Sequence, residues 1–331
     1  MRLIGLAVML TLSLVLTSLV AEAQQPEKVR RVVYLSGPTP APANVETFRR
    51  ALRENGYIEG RNLVIEWRSA EGKQELLPAL AAELVGLKAD VIVTESPSAA
   101  LAAKHATAPT PIVFAFVSDP VALGLVASLA RPGGNITGIA NISAELSGKR
   151  LELLKDAIPS LKSVVVLTNP AASASIANTQ VSPTIENTQS AARRLSLGVR
   201  LVEVRQLAEL EPALSTIARE RAVAVVLGPG PFFFTHQNQI AEIAIKRRLP
   251  VLGWVRPLAE SGALMSYGAD NAEILRRAAS HVARILNGTP PADLPVEQPT
   301  KIDLVINLRT ARALGLTIPQ SLLLRANHVI E

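Results

Sequence analysis

The stretch from Pro111 to Ile139, PIVFAFVSDPVALGLVASLARPGGNITGI, decides which fold this chain can adopt. It opens with an unbroken apolar run, Pro111 to Val117, which is typical of a strand buried on both faces. The apolar pattern from Val121 to Ala130 then predicts a helix that Asp119 caps and Pro120 opens. Asn135 to Ile139 is typical of the next strand. Because ligands bind at the carboxyl ends of strands in open α/β sheets, the loop Ser118-Asp119-Pro120 predicts a ligand site.

The rest of the chain repeats this alternation of short apolar strands and amphipathic helices. Such an order predicts mainly parallel sheets with helices on both faces. The predicted strands are Arg30 to Leu35, Asn62 to Trp67 and Ala89 to Thr94 in the first half, and Ser163 to Leu167, Val199 to Val204, Ala222 to Leu227 and Pro250 to Leu252 in the second.

The two halves of the chain are similar at their strand ends. RVVYLSGP matches SVVVLTNP, ADVIVTESP matches AVAVVLGPGP, and PIVFAF matches PVLGWV, with an offset of about 130 to 140 residues, so two similar lobes are expected. We predict an α/β fold in which each lobe is a mainly parallel sheet flanked by helices. Residues 24–141 plus 268–300 are assigned to the N-terminal lobe and residues 142–267 plus 301–331 to the C-terminal lobe. A hinge of several segments near residues 141–145, 267–271 and 295–301 joins them.

Composition excludes several classes of protein. The chain has 331 residues, 34 Lys and Arg against 28 Asp and Glu, and a net charge of +6, but its basic residues are scattered rather than concentrated on one segment. Nucleic-acid-binding proteins usually concentrate them, so no nucleic-acid partner is expected. The absence of cysteine excludes disulfides, thiolate nucleophiles, Cys-based zinc sites and a lipoprotein anchor.

The N-terminus predicts export. Arg2 precedes an apolar run from Leu3 to Val20, and Ala21-Glu22-Ala23 matches a small-x-small cleavage site, so residues 1–23 are predicted to be a signal peptide cut after Ala23. The alternative is an uncleaved anchor helix, since the run approaches the length of a membrane span.

Four strand ends share one design, in which a polar or small residue precedes a proline: Ser96-Pro97, Asp119-Pro120, Asn169-Pro170 and Gly230-Pro231. If the lobes face each other, four helix N-termini point into one cleft, where free N–H groups hold carboxylates well. The alternative is that each is an ordinary helix cap. Asp119 in particular either accepts a hydrogen bond from a ligand amine or caps its own helix. The polar and strand-end residues predicted to bind ligand are Ser36, Ser96, Ser98, Ser118, Asp119, Asn169 and Pro229.

Aromatic residues near the strand ends of the second half are candidates for stacking on an apolar or aromatic ligand. They are Phe232, Phe233, Trp254 and Tyr267, and the alternative for each is a place in the core. Arg256 is either a carboxylate clamp or an ordinary surface arginine.

No motif in the sequence favours catalysis or a cofactor. His105, His236, His281 and His328 lack metal-ligand spacing, and the chain has no G-x-S-x-G, P-loop or G-x-G-x-x-G motif. A hydrolase or dehydrogenase on a similar fold would need a nucleophile and base that the pattern does not provide. We expect no enzyme activity, cofactor or metal.

Several segments also resemble a known family: LKADVIVT, the opening stretch, LSGKRLELLKDAIPSLKSVVVLTNP, GALMSYG and ADLPVEQPTKIDLVINLRTARALGLTIPQSLL. The chain is similar to the substrate-binding proteins of ABC transporters of the tryptophan/tyrosine-transport type, a branch of the type I periplasmic-binding fold. The resemblance implies a periplasmic, monomeric receptor that captures an amino acid or aromatic or carboxylate compound by hinge closure and delivers it to an ABC permease. A ligand sensor that signals to a receptor or kinase is the alternative. The family's usual Ser or Thr after the third strand is matched by Ser96, whereas the adjacent Glu95 is less typical.

Overall fold

The computed structural model describes residues 28–107, 109–169, 183–220 and 223–331, and the predicted signal peptide lies outside these ranges. The described residues form two sheets, one of five strands and one of seven. All strand pairs are parallel except one antiparallel pair in the second sheet. The predicted fold class, two α/β lobes with mainly parallel sheets, is confirmed.

The first sheet uses the first half of the chain. Its strands are β1 (Arg30–Ser36), β2 (Leu63–Ser69), β3 (Val91–Thr94), β4 (Ile112–Val117) and β5 (Ile136–Ala140), and its helices are α1 (Pro42–Glu54), α2 (Leu77–Gly86) and α3 (Pro97–Ala106). Alternate residues of the strands enter different apolar layers. Val32 and Tyr34 pack on one face of the sheet, and Val33 and Leu35 pack on the other. This two-sided burial explains why β1, β3 and β4 are continuous apolar runs.

The second sheet follows the same plan and then extends it. Its strands are β6 (Ser163–Thr168), β7 (Gly198–Glu203), β8 (Val223–Leu227), β9 (Val251–Gly253), β10 (Met265–Ala269), β11 (Ile302–Asn307) and β12 (His328–Ile330). The helices of this part of the chain are α4 (Ser147–Ala157), α5 (Pro183–Arg194), α6 (Leu210–Ile217), α7 (Pro231–Thr235), α8 (Gln237–Lys246), α9 (Arg256–Glu260), α10 (Asn271–Leu286), α11 (Leu308–Leu314) and α12 (Gln320–Leu323).

The internal repeat of the sequence corresponds to a repeated strand order. The first sheet is ordered β2-β1-β3-β4-β5, and the second contains β7-β6-β8-β9-β10, continued by β11 and β12. The matched sequence pairs therefore occupy equivalent strands, β1 with β6, β3 with β8 and β4 with β9. In such an order the connections that leave two neighbouring strands, β1 and β3 in the first sheet and β6 and β8 in the second, run in opposite directions. This reversal opens a crevice at the carboxyl ends of the two strands.

Within the described ranges, the chain crosses between the two sheets three times. It leaves the first sheet after β5, returns after β10 to form α10, and leaves again at Glu297 before β11. Helix α10 packs on α1 and β4 of the first sheet. The third crossing pairs with β5, because the Ala140 N–H donates to Glu297 O at 2.8 Å and the Glu297 N–H donates to Gly138 O at 3.1 Å.

The helix predicted from Val121 to Ala130 is wrong. Residues 120–124 form turns, and Gly124 takes a left-handed backbone with φ of 64°, which ends the first turn. The Leu125 N–H then donates to Pro120 O at 2.9 Å, and the Ala127 N–H donates to Pro132 O at 2.9 Å. Leu125 and Val126 still bury their side chains in the core, so the apolar pattern reflects burial rather than a helix face. No helix in the described ranges is long and apolar enough to cross a membrane.

Candidate ligand-binding cleft

A cavity of about 460 Å³ lies between the two lobes, where both sheets present the carboxyl ends of their strands. The first lobe contributes the loops after β1 and β3, and the second lobe contributes the loops after β6 and β8. These are the two equivalent crevices of the repeated strand order, facing each other. The volume suits a small organic molecule. We call this cavity the cleft.

Seven of the eleven polar, strand-end and aromatic candidates line the cleft: Ser96, Ser98, Ser118, Asn169, Pro229, Phe232 and Trp254. The other four, Ser36, Asp119, Phe233 and Tyr267, lie outside its lining. Ser36 is fully buried, and its hydroxyl donates to Pro38 O at 2.5 Å. Asp119 is exposed and accepts a hydrogen bond from the Ala122 N–H at 2.9 Å, so it caps its own turn. Tyr267 packs against the core of the second lobe.

The four predicted helix N-termini do not become four equivalent helices. Ser96 caps α3, a helix of ten residues, through a hydrogen bond from the Ala99 N–H at 3.1 Å. Gly230 precedes only the five-residue helix α7, and Asp119 precedes a turn. Residues 170–182, which follow Asn169, lie outside the described ranges. Asn169 itself holds the loop after β7, because its amide donates to Val204 O at 2.8 Å.

Aromatic side chains from both lobes form the apolar part of the cleft. Phe232, Phe234 and Trp254 belong to the second lobe, whereas Phe233 is core, with only 1% of its surface exposed. The first lobe adds Phe116, which the sequence placed inside a strand. Its backbone has φ of 62° at a register shift between β4 and β5, so the strand bulges and turns this ring toward the cleft. A left-handed backbone is unfavourable for a bulky residue and is often found at functional sites.

Glu95 is the buried carboxyl of the cleft. Its Oε1 accepts a hydrogen bond from the Asn44 amide at 3.0 Å, and its Oε2 lies 3.3 Å from Ser36 Oγ. Burial raises the pKa of Glu95, and hydrogen bonds with Asn44, Tyr34 and Ser36 oppose that rise only in part. The Ser36 hydroxyl lies between two acceptors, Pro38 O at 2.5 Å and Glu95 Oε2 at 3.3 Å.

Arg150 is the buried cation of the cleft. It lies on α4 with 4% of its surface exposed, and its N–H groups donate to Tyr267 O at 2.7 Å, Ser143 O at 2.7 Å and Ser143 Oγ at 3.1 Å. Burial lowers the pKa of Arg150 to about 9, with smaller opposing effects of Tyr267 and Glu145, so the guanidinium stays protonated at neutral pH.

Sequence reasoning missed Glu95, Arg150 and Phe116 as lining residues, and also Asn44 and Gln74. Glu95 carried a signal, since it stands beside a predicted ligand residue at a strand end. Arg150 and Phe116 carried none, because a helix interior and a strand interior look structural. The Gln74 side chain is half-buried, and its Oε1 has no hydrogen-bond partner in the described structure.

Arg256, a candidate carboxylate clamp, does not line the cleft. Arg256 is exposed and pairs with Glu260 at 2.6 Å. Within residues 28–107, 109–169, 183–220 and 223–331, no three His, Asp or Glu side chains lie together in a way that could hold a metal ion.

Comparison with known proteins agrees with this architecture. The profile of the family described as ABC transporter substrate binding protein matches residues 28–330. A curated relative, the tyrosine-binding protein of Clostridioides difficile (strain R20291), is 27% identical over 269 residues, which are 81% of this chain and 75% of the relative.

Two crystal structures of the type I periplasmic-binding fold superpose closely on the chain. A conserved domain protein from Vibrio cholerae O1 biovar El Tor has a TM-score of 0.82 at 29% identity, covering 91% of this chain and 100% of that one. An ABC domain in complex with L-Trp from Streptococcus pneumonia has a TM-score of 0.81 at 23% identity, covering 92% and 100%.

Proposed function

Because this chain belongs to the family of ABC-transporter substrate-binding proteins, a non-enzymatic class of solute-binding proteins, we propose that it captures a small organic ligand for an ABC importer. The observation that carries the proposal is the cleft itself, whose lining comes from the carboxyl ends of strands in both lobes. A molecule held there contacts both halves of the protein at once.

The proposed ligand is an amino acid or a related aromatic or carboxylate compound. Phe116, Phe232 and Trp254 offer an apolar surface, while Glu95 and Arg150 supply one buried group of each charge sign. A few polar groups in an apolar cavity are typical of small-molecule sites. Tyrosine, the ligand in the name of the Clostridioides difficile relative, and L-Trp, the ligand of the Streptococcus pneumonia complex, belong to the same chemical class. Glu95, rather than Asp119, is the acceptor proposed for a ligand amine.

Ligand capture is proposed to proceed by closure of the lobes about the three crossing segments. Only the closed form lets both lobes contact the ligand, so the ligand stabilises closure through its differential affinity. The closed monomer then docks on a permease in the inner membrane, after export to the periplasm and removal of residues 1–23.

A thermal-shift screen with amino acids, aromatic acids, small carboxylates and neutral polyols tests the function. A tight ligand raises the free energy of unfolding by several kcal/mol at saturating concentration. Small-angle scattering of the protein with the best compound should then show a smaller radius of gyration. A screen without any stabilising compound would contradict ligand capture, and saturation without compaction would contradict closure.

A further inference from the structure

Among the described residues, no counter-ion pairs with the charge of Arg150. All three of its hydrogen bonds go to neutral oxygens, one on Tyr267 and two on Ser143. No carboxylate of a described residue forms an ion pair with it, and Glu145, the acid that acts on it through space, is exposed. Isolating a cation from water in this way is unfavourable unless another group supplies the missing negative charge.

The hydrogen bonds of Arg150 leave part of its guanidinium available. The group has five N–H donors. Nε donates to Tyr267 O, and each terminal nitrogen uses one of its two donors on Ser143. One donor therefore remains on each terminal nitrogen. Because Ser143 O and Oγ take the adjacent donors of the two terminal nitrogens, the remaining two point to opposite sides of the guanidinium plane, and one of them can form a single charge-assisted hydrogen bond with a carboxylate oxygen. Arg150 lines the cleft with 4% of its surface exposed, so a ligand approaches the guanidinium there.

The position of Arg150 also connects the cleft to the crossing segments. Ser143 lies in the first crossing, just after β5, and Tyr267 lies in β10, directly before the second. The same guanidinium therefore holds two crossings together and faces the ligand. The first-lobe carboxyl of the cleft, Glu95, is not its partner, because the hydrogen bonds of Glu95 go to Asn44, Tyr34 and Ser36.

We propose that Arg150 is the specificity-determining residue that binds the carboxylate of the ligand, so that the cleft selects organic acids over their neutral analogues. This inference rests on the proposed function of the cleft as a ligand site. It concerns the acid group only and applies equally to amino acids and to aromatic acids that lack an amine.

Acid and amide pairs test the inference on the unmodified protein. Calorimetric titration compares L-tryptophan with L-tryptophanamide, L-tyrosine with L-tyrosinamide, and phenylacetate with phenylacetamide, with neutral polyols included. We expect at least one acid to bind 30-fold or more tightly than its amide. Equal affinity for the acid and amide of a binding pair, or binding of neutral polyols alone, overturns the role of Arg150 while the cleft remains a ligand site. Failure of every compound overturns the proposed function itself, and this inference with it.

Arginine variants separate recognition from structure. In Arg150→Met the acid-to-amide affinity ratio should fall to within threefold of unity. Arg150→Lys should recover only part of it, because an ammonium has three donors where the guanidinium has five, and cannot keep the contacts with Tyr267 and Ser143 while it binds the ligand. The matched control is Arg247→Met, which changes an exposed arginine that pairs with Glu211 and lies outside the cleft lining. The control should keep the wild-type ratio. A folded Arg150→Met protein that keeps the ratio overturns the inference. If Arg150→Met does not fold, the acid-to-amide affinity ratios of Arg150→Lys and of the wild type test the inference instead.

Discussion

At the scale of single residues, Glu95 shows how burial decides the properties of a carboxyl group. Asp119 and Glu95 both follow a strand, but Asp119 is exposed and caps a turn, whereas Glu95 is buried among Tyr34, Ser36 and Asn44. A carboxyl whose pKa is raised by folding stabilises the protein below its unfolded pKa. That contribution is lost as the pH rises through the raised value in the folded state.

Glu95→Gln should therefore unfold at a higher temperature than the wild type at pH 8, and the difference should shrink toward pH 4. Glutamine resembles the protonated carboxyl and has no charge to bury. The same variant should bind amine-bearing ligands more weakly, because the negative charge proposed to accept the amine is gone. Thermal unfolding at several pH values and calorimetric titration measure the two effects.

Glu71→Gln is the matched control for Glu95, because Glu71 lines the mouth of the same cleft but is exposed. It should follow the wild-type unfolding curve at every pH. A Glu95→Gln protein that is less stable than the wild type at pH 8 would contradict the account of the buried carboxyl.

At the scale of elements, β10 and the crossing after it hold the cleft wall in place. Strand β10 pairs with β9 through Met265 and Ser266, and Trp254 follows β9 at the edge of the cleft. Gly268 lies against the Trp254 backbone, where a Cβ atom would meet Trp254 O at 1.8 Å. Glycine is required here by close approach of two backbones.

Gly268→Ala should lower the free energy of unfolding by about 1 to 3 kcal/mol, as expected for forced overpacking. It should also weaken ligand binding, because the clash displaces Trp254 and the Tyr267 carbonyl that holds Arg150. Urea unfolding and titration with a ligand from the screen measure both. Gly134→Ala is the control, since a Cβ there meets no atom within 4 Å, and it should change stability by less than about 0.5 kcal/mol. Equal stability of the two variants would rule out the steric account.

The second and third crossings are joined by charged groups. Glu273 accepts hydrogen bonds from the Lys301 N–H at 2.8 Å, the Thr300 hydroxyl at 2.9 Å and the Arg277 guanidinium at 2.8 Å. Burial raises the pKa of Glu273, but these bonds outweigh it and hold the pKa below its usual value. A carboxyl of this kind stabilises the fold above its unfolded pKa and loses that effect as the pH falls through its folded value.

Glu273→Gln should accordingly lower the free energy of unfolding by about 1 to 2 kcal/mol at pH 7, the loss expected for hydrogen bonds to a charged group. The difference from the wild type should shrink as the pH is lowered from 7 to 3, because the carboxyl of the folded protein then becomes protonated. Denaturant unfolding at the two pH values measures it. The control is Glu152→Gln, which removes an exposed partner of Lys149. It should lower the free energy of unfolding by less than about 0.5 kcal/mol. A difference for Glu273→Gln that persists unchanged at pH 3 would contradict the electrostatic origin.

At the scale of the whole molecule, the strand order places the crossings and the cleft mouth at opposite edges. The crossings leave β5 and β10, while β2 and β7 lie at the other end of the repeated strand order. The loops after β2 and β7 both contribute to the cleft, through residues such as Lys73 and Arg205. The rotation about the crossings that we propose would therefore move these two loops the furthest.

Energy transfer between dyes on these loops should rise when ligand binds. The chain has no cysteine, so Glu75→Cys with Ala208→Cys gives one labelling site at each side of the mouth, both exposed. A pair within the first lobe, Glu75→Cys with Glu54→Cys, should show no change. Unchanged transfer across the mouth, in a sample that binds ligand by calorimetry, would contradict closure of the lobes.

The sequence by itself determined the architecture, because the relevant signals are local. Buried strands appear as apolar runs, polar strand ends follow them, and the matched segments of the two halves reveal two lobes. It also located seven residues of the cleft lining, including Ser96, Asn169 and Trp254, since strand ends in such sheets converge.

Only the tertiary structure decided which of the remaining residues face the cleft. Arg150 is brought there by contacts with Ser143 and with Tyr267, a residue 117 positions away in the sequence. Phe116 depends on a bulge between neighbouring strands, and the turns at residues 120–124 depend on Gly124 and on burial of Leu125. These features arise from pairing and packing between distant segments, and apolar periodicity records burial without recording which partner provides it.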